Sequence, residues 1–229
     1  MIFPRTAEIA KPGQLSMQGA LQIVSLEPQT VVESDGTKAS STVGFFPDWD
    51  FEGHVGFGRC ETGIVLVDFG ALAELRCGLL RQDHGDPFSL ALSGAAGVAT
   101  SFAIGPAPAM RLGVDVSKRF GSFEPLVDVY LSSSRQAHFV QTGWVNDPVV
   151  APSGDTMGRQ EIRLAIPIGL AFVVPDKQHR PLEPAFRSAI VGFEPWFVLA
   201  QSSHVEVDPV VRSYTTGYGF AFTLGLTFR

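Results

Sequence analysis

The sequence predicts an all-β fold: one closed, antiparallel, up-and-down β-barrel of about ten strands, within a range of roughly eight to twelve. Three observations lead to this prediction. Apolar residues alternate with small or polar residues along most of the chain, and short connections alternate with long ones. No stretch shows the periodicity of an amphipathic helix.

The closing stretch shows the alternation most clearly. In GYGFAFTLGLTFR, residues 217–229, large apolar side chains occupy every second position from Phe220 onwards, and alanine, glycine or threonine lies between them. The same period of two recurs in residues 110–117 and 161–172. Because successive side chains of a strand point to opposite faces, each strand has one wide apolar face and one face of small or polar residues.

This pattern divides the chain into about ten strands, most of them reaching the ~9–11 residues that a tilted bilayer-spanning strand needs. The hairpin near Leu72 has almost no turn residues. We interpret Pro167 and Pro195 as bulges, because proline cannot donate to a sheet ladder. The predicted strands are 14–26, 50–59, 63–72, 74–81, 87–101, 109–119, 125–139, 159–174, 185–200 and 217–229.

The composition excludes several classes of protein. The chain has 229 residues, is 45% hydrophobic and only 17% charged, and has a mean hydropathy of +0.18. A net charge of −6 argues against a nucleic-acid partner, which requires a basic surface. No run approaches the ~20 apolar residues of a membrane-spanning helix. We therefore expect a single β-barrel domain over residues 1–229.

The connections differ in length on the two sides of the predicted sheet. If the first strand starts on one side of the barrel, all the long polar connections lie on the other side. Two short connections, near Leu72 and at 103–108, lie on that other side as well. Short turns on one side and long loops on the other are typical of outer-membrane barrels. The short connections are 60–63, 81–86, 119–124 and 175–183, and the long ones are 28–49, 140–158 and 202–216.

The chain resembles the small bacterial outer-membrane β-barrels. Its end, GFAFTLGLTF, is similar to the C-terminal β-signal of that class, although the signal normally closes on an aromatic residue and this chain closes on Arg229. Residues 63–98 also resemble two hairpins of such barrels. The resemblance implies a transmembrane barrel of the bacterial outer membrane, with short periplasmic turns, long extracellular loops and insertion by the outer-membrane machinery. It implies no catalytic or binding residue.

The start of the chain has no signal-peptide pattern. Residues 1–5 lack a charged region followed by an apolar run, so the chain is either not exported or lacks its signal peptide. We assign residues 1–13 to an N-terminal periplasmic segment.

The second face of the strands distinguishes a membrane barrel from a soluble one. A soluble β-sandwich or a lipocalin-like binding barrel needs Lys, Glu, Thr and Gln on the face that meets water. Here that face is largely Gly, Ala and Ser with sparse charges, which suits a crowded lumen. We therefore expect the apolar face to contact the lipid bilayer. The residues expected outside are Leu112, Val114, Val116, Ile162, Leu164, Ile166, Phe222 and Leu224, and those expected inside are Arg111, Asp115, Arg163 and Thr223.

Charged residues of both signs lie on the predicted lumen face. In a narrow interior of low dielectric they must pair. Four arginines should therefore each lie within about 4 Å of a carboxylate from a set of six. The arginines are Arg76, Arg111, Arg163 and Arg187, and the carboxylates are those of Asp68, Glu74, Asp115, Asp128, Glu161 and Glu194. This indicates a structural network that plugs or nearly plugs the barrel, with a small selective pore as the alternative. The predicted network is Glu52, Asp68, Glu74, Arg76, Arg111, Asp115, Asp128, Glu161, Arg163, Arg187 and Glu194, with His54 on the same face.

We expect a non-enzymatic role, as a narrow or plugged pore or as a structural or assembly component of the envelope. The loop around Phe45, Phe46 and Trp49 is either a contact for other envelope proteins or part of an aromatic girdle at the membrane surface. We assign no cofactor and no metal, because no ligand spacing fits one.

The enzymatic alternative is an outer-leaflet lipid hydrolase with a Ser/His site at the rim. Its candidates are Ser132, Ser133, Ser134 and His138 on one strand, and Ser202, Ser203 and His204 at the end of another, with Asp155 or Asp208 as the third group. We assign no catalytic residue on this pattern.

The two cysteines are expected to be free. In the predicted strand order, Cys60 ends the second strand and Cys77 lies in the fourth, so a whole strand separates them. Alternate strands lie roughly 9–10 Å apart, whereas a disulfide needs Cα atoms closer than ~7 Å. Cys77 shares the parity of Leu75 and Leu79 and should face lipid.

Overall fold

A computed structural model shows an all-β protein. It describes residues 4–25, 30–33, 38–40, 45–67, 70–101, 104–138, 157–174, 186–201, 211–215 and 218–229. Within these ranges there is no α-helix, only a short 3-10 turn at Gln82–His84. The strands are β1 (Leu15–Ser25), β2 (Thr30–Glu33), β3 (Lys38–Ser40), β4 (Phe45–Phe57), β5 (Cys60–Val67), β6 (Gly70–Leu80), β7 (Ser89–Ser101), β8 (Ile104–Ser117), β9 (Phe123–His138), β10 (Met157–Ala165), β11 (Ile168–Val173), β12 (Phe186–Gln201), β13 (Val211–Thr215) and β14 (Tyr218–Phe228).

Eleven of these strands form one closed antiparallel sheet. From β4 to β9 each strand pairs with the next along the chain, and β14 pairs with both β12 and β1. The closing pair runs from Met17 opposite Phe228 to Val24 opposite Ala221. The predicted closed barrel is therefore confirmed, and the first and last strands of the wall form the closing pair.

β10 and β11 are two parts of one wall strand. Both lie between β9 and β12, and the pairs Ala165–Tyr130 and Ile168–Val127 keep one register across the break. The described wall thus has ten strand positions, as predicted. The break falls at Pro167, whose carbonyl still accepts the Asp128 N–H at 2.8 Å.

The bulges predicted at the two prolines are wrong. Pro167 interrupts the ladder because it has no N–H, but it adds no residue to either side. Pro195 lies opposite Phe220 within an unbroken register. In β12, the register shifts fall instead opposite Ile162–Arg163 of β10 and between Phe186 and Ser188.

The two faces of the wall follow the predicted parity. Leu112 is 63% exposed on the outside, whereas Asp115, three residues later on the same strand, is completely buried inside. The outward set of Leu112, Val114, Val116, Ile162, Leu164, Ile166, Phe222 and Leu224 is exposed or half-exposed, and Arg111, Asp115, Arg163 and Thr223 point inward. The predicted orientation is confirmed.

The barrel has two distinct ends. At one, the turn end, lie the two-residue turn Gly58–Arg59, the turns from β6 to β7 and from β8 to β9, the start of β1 and the end of β14. At the other, the loop end, β2 of the first long connection pairs both with β3 of the same connection and with β13 of the last one, in a small three-stranded sheet. This sheet joins the two connections that flank the closing strands.

The prediction of free cysteines is wrong, because Cys60 and Cys77 form a disulfide. Cys60 does not end a strand but begins β5, directly after the Gly58–Arg59 turn. It therefore lies opposite Cys77 in the β5–β6 ladder, with the Cα atoms 4.0 Å apart. Cys77 does share the outward parity of Leu75 and Leu79, so the disulfide lies on the outer surface near the turn end.

Replacing both cysteines with alanine should lower the stability of the barrel. The disulfide closes a loop of 17 residues, and the loss of such a link costs roughly 3 kcal/mol. Urea unfolding in lipid vesicles measures the change, and reduction of the unaltered protein should shift the midpoint by the same amount. Titration of the unfolded, unreduced chain should detect no thiol, and two thiols would contradict the pairing.

Candidate functional site

The first described residues fold into the barrel. Pro4–Ala10, here named the plug segment, enters the lumen from the turn end, and most of its residues are buried. The chain bends inward at Gly13, whose N–H donates to the Gly56 carbonyl at 2.8 Å. Residues 4–10, which the sequence pattern placed in a periplasmic segment, thus lie inside the lumen instead.

Backbone hydrogen bonds and small wall residues hold the plug segment. The Ala7 N–H donates to Ser117 Oγ at 3.0 Å, and the Ala10 N–H donates to Glu61 at 2.7 Å. A Cβ atom added at Gly56 would collide with the Ala10 carbonyl, and one at Gly192 would collide with the Pro4 ring. The small residues of the inner face therefore make room for the plug segment.

Arg5 is the residue of the plug segment that reaches deepest into the charged interior. Its two terminal nitrogens each lie 2.8 Å from a different oxygen of Glu74, which gives the two-point geometry that arginine and carboxylate groups favour. Its Nη1 also contacts Glu52 at 3.1 Å. The Arg5 backbone N–H donates to Asp128 at 2.9 Å, and Nε donates to the Tyr130 hydroxyl at 2.8 Å.

Two arginines of the wall extend this network. Arg111 contacts Glu74 at 2.7 Å and Glu52 at 3.4 Å, so these two carboxylates are shared with Arg5. Arg76 contacts Asp115 at 2.6 Å and Glu61 at 2.9 Å. It also donates to the backbone carbonyls of Thr6 and Glu8 in the plug segment. The wall therefore holds the plug segment by its backbone as well as by Arg5.

Tyr130 and His54 complete the network. The Tyr130 hydroxyl donates to Asp115, and the Arg5 and Arg111 guanidinium groups lie 5.5 and 5.4 Å from the centre of its ring. His54 Nε2 lies 2.8 Å from Glu74. Five carboxylates thus face three guanidinium groups: Glu52, Glu61, Glu74, Asp115 and Asp128 with Arg5, Arg76 and Arg111.

The remaining predicted network residues lie elsewhere. Arg163 pairs with Glu161 at 2.8 Å and lies 4.4 Å above the Trp196 ring, in the half of the lumen nearer the loop end. Glu194 is buried on β12. Among the described residues, Arg187 pairs with Glu8 of the plug segment, which is not one of the predicted carboxylates. Asp68 lies outside the described residues.

Three arginines surround Glu8 at the turn end. Arg229 lies 3.0 Å, Arg187 3.2 Å and Arg119 3.8 Å from its carboxylate oxygens. Burial opposes ionisation, yet the guanidinium groups of Arg229 and Arg187 hold the pKa of the Glu8 carboxyl below its ordinary value. The plug segment therefore places a cation among carboxylates and, three residues later, an anion among arginines.

Several residues of this site were missed from the sequence. Arg5 and Glu8 lie before the first strand, where the alternation says nothing about direction. One signal was present: the predicted network has seven carboxylates but only four arginines, which calls for a further cation. The other missed members are Glu61, Tyr130, Arg119 and Arg229.

The site does not have the form of a metal centre. Ligand atoms of Glu52, His54 and Glu74 lie within 4.8 Å of one another, which is close enough to hold an ion. Arg5 and Arg111 already neutralise both carboxylates, and their positive charge repels a cation.

The candidate hydrolase residues are not brought into this network. Ser132, Ser133 and Ser134 lie on β9 opposite residues 161–163 of β10. The His138 side chain is not among those described. Ser202, Ser203, His204, Asp155 and Asp208 all lie outside the described residues.

Several solved structures are similar to this chain at low identity. Neisserial surface protein A is 8% identical, with 93% of this chain and 96% of that chain covered and a TM-score of 0.43. Ail of Yersinia pestis is 12% identical, covering 94% and 98% with a TM-score of 0.23. A FadL homologue of Pseudomonas aeruginosa is 11% identical, covering 94% and 89% with a TM-score of 0.28. No family model and no curated protein matches the chain.

The fold is a closed antiparallel β-barrel that resembles the small bacterial outer-membrane β-barrels. This rests on the closed wall, the apolar outer face and the polar lumen, because the TM-scores are too low to support any conclusion. No helix in the described ranges is long and apolar enough to span a membrane.

Substituting Arg5 with glutamine should destabilise the barrel by roughly 3–5 kcal/mol, because it leaves Glu52 and Glu74 buried with too little positive charge. Urea unfolding in lipid vesicles measures this loss. The matched control is Arg81→Gln, which removes a pair with Asp83 in an exposed turn and should cost at most about 1 kcal/mol. Equal losses in the two variants would show that Arg5 does not stabilise the interior.

Proposed function

We propose that this chain is an integral β-barrel of the bacterial outer membrane, without enzymatic activity, whose lumen is closed at rest by its own N-terminal segment. The observation that carries the proposal is the position of Arg5, which lies between Glu52 and Glu74 inside the barrel. The protein is then a plugged pore, and the plug segment is the element that must move for anything to pass.

The outer face supports the membrane part of the proposal. Large apolar side chains, among them Leu112, Leu224 and Phe222, are about half exposed or more on every side of the wall. A continuous apolar surface of this kind would be unstable in water and fits the hydrocarbon core of a bilayer. Trp49 and Tyr218 are also exposed, and such residues favour the headgroup level.

The lumen supports the closed state. Wall side chains and the plug segment meet in the turn half of the barrel, where Arg5, Glu74, Asp115 and Tyr130 are almost completely buried. Charges buried and paired in this way leave little room for water, and separating them is costly. A porin-like channel would instead expose these arginines to solvent.

A structural or assembly role is the second candidate. The three-stranded sheet of β2, β3 and β13 gives the loop end an ordered surface that a second envelope protein would contact. Trp49 lies on the outward face of β4 and fits the aromatic girdle, while the side chains of Phe45 and Phe46 lie outside the description. Insertion by the outer-membrane machinery belongs to this proposal and would use the alternating strand β14.

Placing arginine at Leu112 tests the membrane part. At mid-strand on a lipid-facing surface the substitution should cost roughly 2–4 kcal/mol more than Leu112→Ala, measured by urea unfolding in lipid vesicles. The alanine variant is the control for the lost side chain. On a surface that meets water the two variants would be equally stable.

Conductance in planar bilayers tests the closed lumen. The intact protein should be silent, and a variant that starts at Lys11 should conduct, because it lacks the plug segment. This variant should also carry Glu52→Gln, which restores the charge balance lost with Arg5. Full-length protein with Glu52→Gln is the matched control and should stay silent. Steady conductance of the intact protein would overturn the plugged state, and a silent truncated barrel would favour the structural role.

A further inference from the structure

The site around Glu8 has the composition of an anion-binding site. Its three arginines come from separate parts of the wall: Arg119 from the turn between β8 and β9, Arg187 from β12, and Arg229 from the residue after β14. All three lie within 3.8 Å of the same carboxylate. Arginine suits such a site, because its planar group presents several N–H donors to one set of anionic oxygens.

This site is partly exposed to solution, unlike the network around Arg5. The Glu8 side chain is 24% exposed and that of Arg119 26% exposed, whereas that of Glu74 is completely buried. A small solute approaching from the turn end can therefore contact Glu8 and Arg119 while the plug segment is in place, and Arg187 and Arg229, 15% and 11% exposed, lie behind them.

The charge of the site favours an anion with more than one negative charge. Three guanidinium groups surround the single carboxylate of Glu8, so positive charge exceeds negative charge among these four side chains. Arg229 Nε is buried and has no acceptor among the described residues, so an anion that replaces the Glu8 carboxylate has a donor there that Glu8 does not use. A phosphate dianion offers more charge and more oxygen acceptors than the single Glu8 carboxylate.

We propose that Arg119, Arg187 and Arg229 form a phosphate-binding site at the turn end, which Glu8 occupies in the closed protein and for which phosphate competes. The proposal rests on the plugged lumen proposed above. Phosphate bound at this site displaces the Glu8 carboxylate, so the plug segment loses its ion pairs at the turn end. It keeps the deeper attachment through Arg5 and its backbone hydrogen bonds to Ser117, Glu61 and Arg76. Phosphate therefore promotes release of the plug segment.

The reactivity of a cysteine introduced into the plug segment measures that release. Ala7 is fully buried between Arg5 and Glu8, and the two native cysteines are joined, so Ala7→Cys supplies one reactive thiol. Its modification by a soluble maleimide is followed in a non-ionic detergent free of phospholipid, at pH 7. Sodium phosphate is compared with sodium chloride at equal ionic strength. A further arm adds phosphatidylglycerol, which separates a lipid phosphodiester from free phosphate as the ligand.

Phosphate should raise the modification rate roughly tenfold, the effect of losing one charge-assisted hydrogen bond. Adding Glu8→Gln should raise the rate in chloride by a similar factor and abolish the response to phosphate. The double substitution Arg187→Gln and Arg229→Gln should also abolish the response, because it removes the site itself. An increase with phosphatidylglycerol but not with phosphate would overturn the assignment of free phosphate as the ligand.

Direct binding gives a second measurement that does not depend on the added cysteine. Glu8→Gln should bind inorganic phosphate at least tenfold more tightly than the unaltered protein in calorimetry, because the competing carboxylate is gone. Two results together would overturn the anion site and leave the plugged lumen standing. The thiol introduced at Ala7 would react slowly with and without phosphate, and Glu8→Gln would bind phosphate no more tightly than the unaltered protein. Rapid modification of the introduced thiol in chloride would overturn the plugged lumen as well.

Discussion

The ion pairs of Arg5 with Glu52 and Glu74 determine whether the interior of this barrel is stable. The turn half of the lumen contains five carboxylates, and without Arg5 only two guanidinium groups would face them. So many like charges in a narrow space would either take up protons or force water into the lumen. The N-terminal segment is therefore part of the barrel's interior. Gly56 and Gly192 lack side chains where this segment packs against the wall, and a larger residue at either position would collide with it.

The wall and the interior of the barrel are stabilised by different interactions. The wall turns its apolar residues outward, so its stability against unfolding comes from the medium around it and from the closed hydrogen-bond ladder between strands. The interior is held by charge, with Arg76 and Arg111 connecting neighbouring strands through shared carboxylates. A soluble barrel of the same size would reverse this arrangement.

The sequence pattern predicts the strands of the wall but not the segment that fills the lumen. Alternation identifies strands and faces because a strand has a fixed period of two, and it correctly placed residues such as Leu112 and Asp115. It cannot place Arg5 or Glu8, since a segment without regular structure has no period. The disulfide was missed because a boundary error of a few residues moved Cys60 from the start of β5 to the end of the preceding strand. Only the excess of predicted carboxylates over arginines pointed to a missing cation.

The plug segment is joined to β1 by only the residues 11–14, and this bend is fixed to the wall at Gly56. So short a tether keeps Glu8 at an effective concentration of millimolar order or higher beside its arginines. An anion arriving from outside competes against that local concentration, not against the amount of protein in the membrane. Trace anions would therefore not displace Glu8, and only anions abundant on the side that the turn end faces would do so.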